Sequence, residues 1–252
     1  MGTSKGYEPP QGKGSPWDTL KRQMGKLIEK PEKNTKVVSK FVKALGGANN
    51  FSSYNKPVSI PMGGTKTSSF KSSSARDTVL NLGSFFADIA KNGLDQAIES
   101  RGIDLNGKTI DEIKESFIEY FIKPSIDSDS ACASLAIATV MEELFEEISD
   151  ERELEDFLSK VITTDRAKKL ICGFYENYIY ELFSRMFFED ITFKTNQADA
   201  EEILEIVKET IHTKISNIEC NRNLSDVDFN SDEGKDFVQG MLKEILEVLE
   251  EE

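Results

Sequence analysis

Apolar residues recur along most of the chain at the three- and four-residue spacing of a helix that buries one face. Trp17, Leu20, Met24, Leu27 and Ile28 form the first stripe. Ser15 stands before it as a predicted N-cap, Pro16 takes the first helical position, and Pro31 ends the run. Val37, Val38, Phe41, Val42 and Leu45 predict a second short helix before Gly46-Gly47. From Arg76 onward the helical pattern is nearly continuous. Val79, Leu82, Phe86 and Ile89 lead into Leu94 and Ile98, with a stop at Gly102. After a turn over 103–107, Ile110, Ile113, Phe117 and Phe121 mark a helix that ends before Pro124. A small-residue helix is expected from about Ser130 to Ile148, then one over Asp150–Val161 opened by an Asp-x-x-Glu box to Glu153. The longest runs from about Asp165 to Glu189, with Leu170, Phe174, Tyr178, Leu182 and Met186 on one face. Stripes through Ile203–Ile218 and Phe237–Leu249 complete seven helices, beside one weak strand pattern at Asp190–Lys194.

Two stretches interrupt this pattern. Residues 1–15 hold four Gly, two Pro and no aliphatic residue after Met1, which predicts a flexible tail. Residues 46–75 hold four Gly and eight Ser, with Phe51, Tyr54, Ile60, Met62 and Phe70 scattered among them. They read as a linker, or as a segment that folds onto a partner. The expected layout is therefore a tail (1–15), two short basic amphipathic helices (16–45), a linker (46–75) and an acidic helical domain (76–252). The fold class is all-α, with a bundle-like C-terminal domain. The two short helices are too short to be stable alone, so Trp17, Leu20 and Met24 are expected to bind a partner.

Charge sharpens that division. Residues 1–75 carry 13 Lys and Arg against 4 Asp and Glu, a net of +9, and residues 76–252 carry a net of −23. A basic arm on an acidic body can meet nucleic acid, an acidic protein or its own body. The acidic body and the lack of base-stacking aromatics beyond Trp17 and Phe41 argue against nucleic acid, which is not expected as a partner. Cys132, Cys172 and Cys220 stand forty or more residues apart, so free buried thiols are expected. No apolar signal core or membrane-length stretch is present, and the chain is expected to be cytoplasmic, with no membrane partner.

Few residues carry catalytic or metal chemistry. His212 is the only histidine and sits beside an apolar stripe, where a helix-surface role is expected. Acidic pairs such as Glu142-Glu143 and Glu201-Glu202 lie at helical spacing on polar faces. Asp127-Ser128-Asp129 lacks the glycine and terminal Glu of a calcium loop. Gly6 to Lys13 has the wrong spacing for a phosphate loop. No catalytic residue, no metal ligand and no bound cofactor is expected, and the chain does not read as an enzyme.

The N-terminus is the one chemically suggestive feature. Removal of Met1 would expose the α-amine of Gly2, unhindered by a Cβ and with an intrinsic pKa of about 7.7–8.0. N-myristoylation wants Ser or Thr at the sixth position, where Gly6 stands.

Met1-Gly2-Thr3-Ser4, the Ser15-Pro16-Trp17 entry, Ala44-Leu45-Gly46-Gly47, Leu82-Gly83 and Gly102-Ile103-Asp104-Leu105 followed by Gly107-Lys108 together resemble the QatB family of the bacterial Qat antiphage defence system. The resemblance implies a partner similar to the QueC-like 7-cyano-7-deazaguanine synthases, alongside an ATPase and a TatD-like nuclease. Such a partner would use ATP and a 7-deazaguanine substrate, with Gly2 as the modified residue. Thr3 and Ser4 would hydrogen-bond the partner's pocket. Lys5, also in the engaged tail, offers a competing amine, mostly protonated because of its higher pKa.

Overall fold

The computed structural model describes residues 16–31, 36–53, 58–62, 66–70, 72–122, 127–148, 153–161, 165–216, 218 and 227–251. The tail with Gly2, Thr3, Ser4 and Lys5, the Ser15 cap, Asp150 of the expected box and Cys220 lie outside these residues. The architecture is all-α, with eleven helices and one two-stranded hairpin among the described residues.

Helices α1 (Pro16–Glu29) and α2 (Lys36–Ala44) form where the first two stripes predict them and pack on each other. The stretch 46–75 departs from a linker. It holds a short helix α3 (Gly47–Phe51) and an antiparallel hairpin of β1 (Val58–Met62) and β2 (Lys66–Phe70), paired from Val58↔Phe70 to Met62↔Lys66. Val58, Ile60 and Met62 alternate as strand residues do, with Gly63-Gly64 directly after. Phe51, read in the sequence as an aperiodic aromatic, is buried, and its carbonyl accepts from the Ser72 hydroxyl at 2.6 Å.

Eight helices follow instead of seven. Gly93, at φ 86°, breaks the predicted first helix into α4 (Ser73–Asn92) and α5 (Leu94–Glu99). A positive φ suits glycine because it lacks the Cβ that would clash there. Then come α6 (Ile110–Phe121), α7 (Ser128–Glu146), α8 (Leu154–Val161), α9 (Asp165–Lys194), α10 (Gln197–Ile215) and α11 (Asp232–Glu250). The weak strand pattern at Asp190–Lys194 proves to be the last turns of α9: Ile191 is buried on that helix and Phe193 points outward. Side-chain caps fix three starts: Thr109 with Glu112 on α6, Asp127 with Ser130 on α7, and Asn196 on α10.

The chain forms two compact units. One holds residues 1–72, 179–218 and 241–252; the other holds 73–178 and 219–240. In the first, Phe41 meets Phe183 and Phe187 edge-on at 5.2 and 6.0 Å, so α2 shares a core with the end of α9. In the second, Phe85 is ringed by Phe86, Phe117 and Phe121 at 5.1–5.5 Å, which joins α4 to α6. Helix α4 also packs on α7 and α8.

Candidate functional site

Trp17, Leu20 and Met24, expected to bind a partner, are instead buried within the first unit, where their apolar atoms are covered by the chain itself. The opposite side of these helices is charged: Lys21, Arg22, Lys26, Lys30 and Lys36 are exposed, and Lys40 and Lys43 are partly so.

A glycine pair fixes the end of this arm. Gly46, at φ 104°, closes α2, and Gly47, at φ 76°, opens α3. The far end of the chain seats on that turn. The Ala48 amide donates to the Glu250 carboxylate at 2.9 Å, and the Ser39 hydroxyl donates to the Glu250 carbonyl at 2.7 Å. The Lys214 ammonium reaches the Glu251 carbonyl, fastening α10 to the same chain end. A Cβ on Gly47 would lie 2.7 Å from the Glu250 Oε1, so the residue is glycine for both conformation and space.

The other glycines of the resemblance are explained in the second unit. A Cβ on Gly83 would stand 2.4 Å from the Phe229 ring. Gly102, at φ 67°, ends α5 with its amide on the Glu99 carbonyl and the Ile103 amide on the Ile98 carbonyl, a Schellman closure. Asp104 then accepts from the Asn106 amide and side chain, both at 3.0 Å, which holds its carboxyl below the usual range. Lys108 donates to Ser116 at 2.7 Å. The Gly-Ile-Asp-Leu stretch is thus a connector between two helices.

A buried polar network was not apparent in the sequence. Asp129 is 3 % exposed; its two oxygens accept from the Ser74 amide at 2.8 Å and the Tyr178 hydroxyl at 2.7 Å. Burial raises the Asp129 pKa, opposed by these two hydrogen bonds, and burial beside that carboxylate pushes the Tyr178 phenol well above its usual value. Arg76, fully buried, lies close enough for its charge to favour the Tyr178 phenolate. The pattern Asp127-Ser128-Asp129 therefore divides by role: Asp127 caps α7, while Asp129 ties the starts of α4 and α7 to α9. A carboxylate closed off from solvent with both oxygens engaged acts as a structural tie.

The histidine and the acidic pairs singled out in the sequence lie open to solvent. His212 is exposed on α10, and Glu142, Glu143, Glu201 and Glu202 are exposed on their helices. A cleft of about 160 Å³ between α7 and α9 is lined by Glu143, Glu147, Arg166 and Lys169 over Val140, Leu144 and Leu170. Its charges are balanced, with Arg166 paired to Glu147 at 3.2 Å and lying 4.5 Å over the Phe157 ring. No cluster of three or more His, Cys, Asp or Glu able to hold a metal occurs among the described residues. No described helix is long and apolar enough to cross a membrane. Cys132 and Cys172 are buried and form no disulfide, as expected.

These features define an all-α protein whose characteristic glycines serve its backbone and packing. Residues 63–249, close to three quarters of the chain, match the family model described as the Qat anti-phage system associated protein QatB. The chain belongs to the QatB family and is thereby an associated component of an antiphage defence system. The tail and helices α1 to α3 precede the matched residues. No curated protein and no solved structure matches the chain.

Proposed function

We propose that the chain is the protein substrate and binding partner of a QueC-like enzyme of its defence system, accepting a 7-deazaguanine on the α-amine of Gly2. Membership of the QatB family is the observation that carries this reading, joined to the Met1-Gly2-Thr3-Ser4 start. In the reaction, a 7-deazaguanine carboxylate attacks the α-phosphate of ATP and pyrophosphate leaves. The neutral Gly2 amine then attacks the acyl carbon; AMP departs, the nitrogen loses a proton, and an amide remains. The chain supplies only the nucleophile. Gly2 brings no Cβ to the partner's pocket, and its amine has an intrinsic pKa near 7.7–8.0, so a useful fraction is deprotonated at neutral pH. Thr3 and Ser4 supply hydroxyls for the pocket wall, and Lys5 remains mostly protonated. In this cytoplasmic setting, the system's ATPase and TatD-like nuclease act downstream of the modified protein.

Co-expression with the QueC-like partner followed by intact-mass measurement and N-terminal sequencing tests the reading. The expected product carries one added deazaguanine acyl group on Gly2. Gly2→Val abolishes the addition, whereas Lys5→Arg leaves it in place. An unmodified Gly2 in cells where the system is active overturns the proposal.

A further inference from the structure

We propose that the solvent side of α1 and α2 is a docking surface for the phosphate backbone of duplex nucleic acid, a role that does not depend on the Gly2 reading. The surface is built by helical spacing: Lys21, Arg22 and Lys26 on α1, Lys30 directly after its last turn and Lys36 at the start of α2 are all exposed, with one exposed acid, Glu29, among them. From Lys21 to Lys30 these cations extend over about 13 Å along the helix axis, a length that meets several phosphates of a duplex carrying one charge per roughly 1.7 Å.

Two features of the sequence argued against nucleic acid, and the structure alters both. The large negative charge downstream of residue 75 is not evenly shared: the unit containing α1 and α2 has a net charge of +1, and the other unit −15. Within the first unit the positive charge belongs to residues 1–72, which carry +9, while its segments 179–218 and 241–252 carry −8 together. The lack of stacking aromatics becomes informative. Trp17 and Phe41 are buried, so the surface offers bases no ring and meets phosphates alone, which is sequence-independent binding.

The composition of the face separates it from other anionic partners. Four of the five exposed cations are lysines. Lysine binds phosphate as a point charge and is depleted from protein–protein interfaces, where the arginine fork recognises carboxylates. A membrane surface would call on the apolar sides of α1 and α2, but these lie in the core.

The test is fluorescence anisotropy of a labelled mixed-sequence duplex of about 20 base pairs, titrated with the full chain from roughly 50 to 200 mM NaCl. With five phosphates neutralised, affinity falls several hundred-fold across that range, at a log–log slope of about −4.5. Changing the duplex sequence leaves affinity within about twofold. Lys26→Gln with Lys30→Gln lowers the slope by about 2, while Lys208→Gln on α10 leaves it unchanged. Circular dichroism establishes that the double variant is folded; if its helical signal is lost, the single variants decide, each lowering the slope by about 1. Failure to bind at the lowest salt, a slope indifferent to the Lys26 and Lys30 changes, or tighter binding to phosphatidylserine vesicles or polyglutamate than to duplex each overturns the proposal.

Discussion

Replacing Gly47 by alanine tests how the N-terminal helices are held. Two costs can be worked from the turn. Gly47 sits at φ 76°, and an alanine there takes a left-handed conformation costing about 1–2 kcal/mol. Its Cβ would also lie 2.7 Å from the Glu250 Oε1, so the carboxylate must withdraw. Withdrawal breaks the hydrogen bond from the Ala48 amide, worth about 1–2 kcal/mol once its partial exposure is allowed for. Gly47→Ala should therefore destabilise the protein by about 2–4 kcal/mol, or roughly 5–15 °C in Tm.

The chain carries its own probe for the measurement. Trp17 is the only tryptophan and is buried in the unit that contains Gly47, so its emission during urea unfolding reports that unit. Glu250→Ala removes the hydrogen bond alone and should cost about 1–2 kcal/mol. Because Gly47→Ala has already displaced the carboxylate, the double variant should be no less stable than Gly47→Ala by itself. The resulting coupling of about 1–2 kcal/mol is the signature of the contact. Additive losses, or a Gly47→Ala protein within about 0.5 kcal/mol of the parent, would show that the chain end does not bear on this turn.

In α4, Gly83→Ala gains about 1 kcal/mol of helix propensity but drives a methyl into the buried Phe229 ring, which also meets Phe237 edge-on at 6.1 Å. Overpacking of about 1–3 kcal/mol should win. Gly25→Ala, with nothing near its Cβ, should instead stabilise by about 0.5–1 kcal/mol; the reverse order in urea unfolding would refute the contact. At Asp129 burial raises the folded pKa above the ordinary carboxylate value, so the folded state holds this proton more tightly than the unfolded chain. Its contribution to stability is fully present below that value and is lost as pH rises through the folded pKa. Asp129→Asn removes this dependence, so the stability of the parent relative to the variant should fall across that window and then level off; a flat difference would contradict the burial of a titrating carboxylate.

The sequence and the structure agree most closely where a single helical stripe decides the outcome. Helices α1, α2 and α6 lie where their spacing predicts them because each presents one apolar face to one core. Agreement weakens where two signals compete. Across 79–98 the apolar period continues over Gly93, and only the backbone angle there shows that the helix has ended. In 46–75, serine and glycine dominate the composition, and the alternation of Val58, Ile60 and Met62 is a three-residue signal inside it. The burial of Asp129 had no local signal at all. It depends on Tyr178, 49 residues away, which periodicity placed correctly on an apolar face without revealing that its hydroxyl had a partner.

The division of labour among the glycines bears on function. Gly46, Gly47, Gly83, Gly102 and Gly107 are among the residues that make the chain resemble its family, and each has a reason in the backbone or the packing. Motifs of this kind report a shared fold: replacing any of them should lower stability before it alters chemistry. The proposed roles in defence rest on other parts of the chain. The basic side of α1 and α2 is one, since its cations lie opposite the buried stripe and exchanging them for glutamine removes no core contact. Gly2 is the other. Stability and function should consequently separate cleanly: substitutions at the structural glycines move the unfolding midpoint, while substitutions at Gly2 or Lys26 leave it in place and change what the protein accepts or binds.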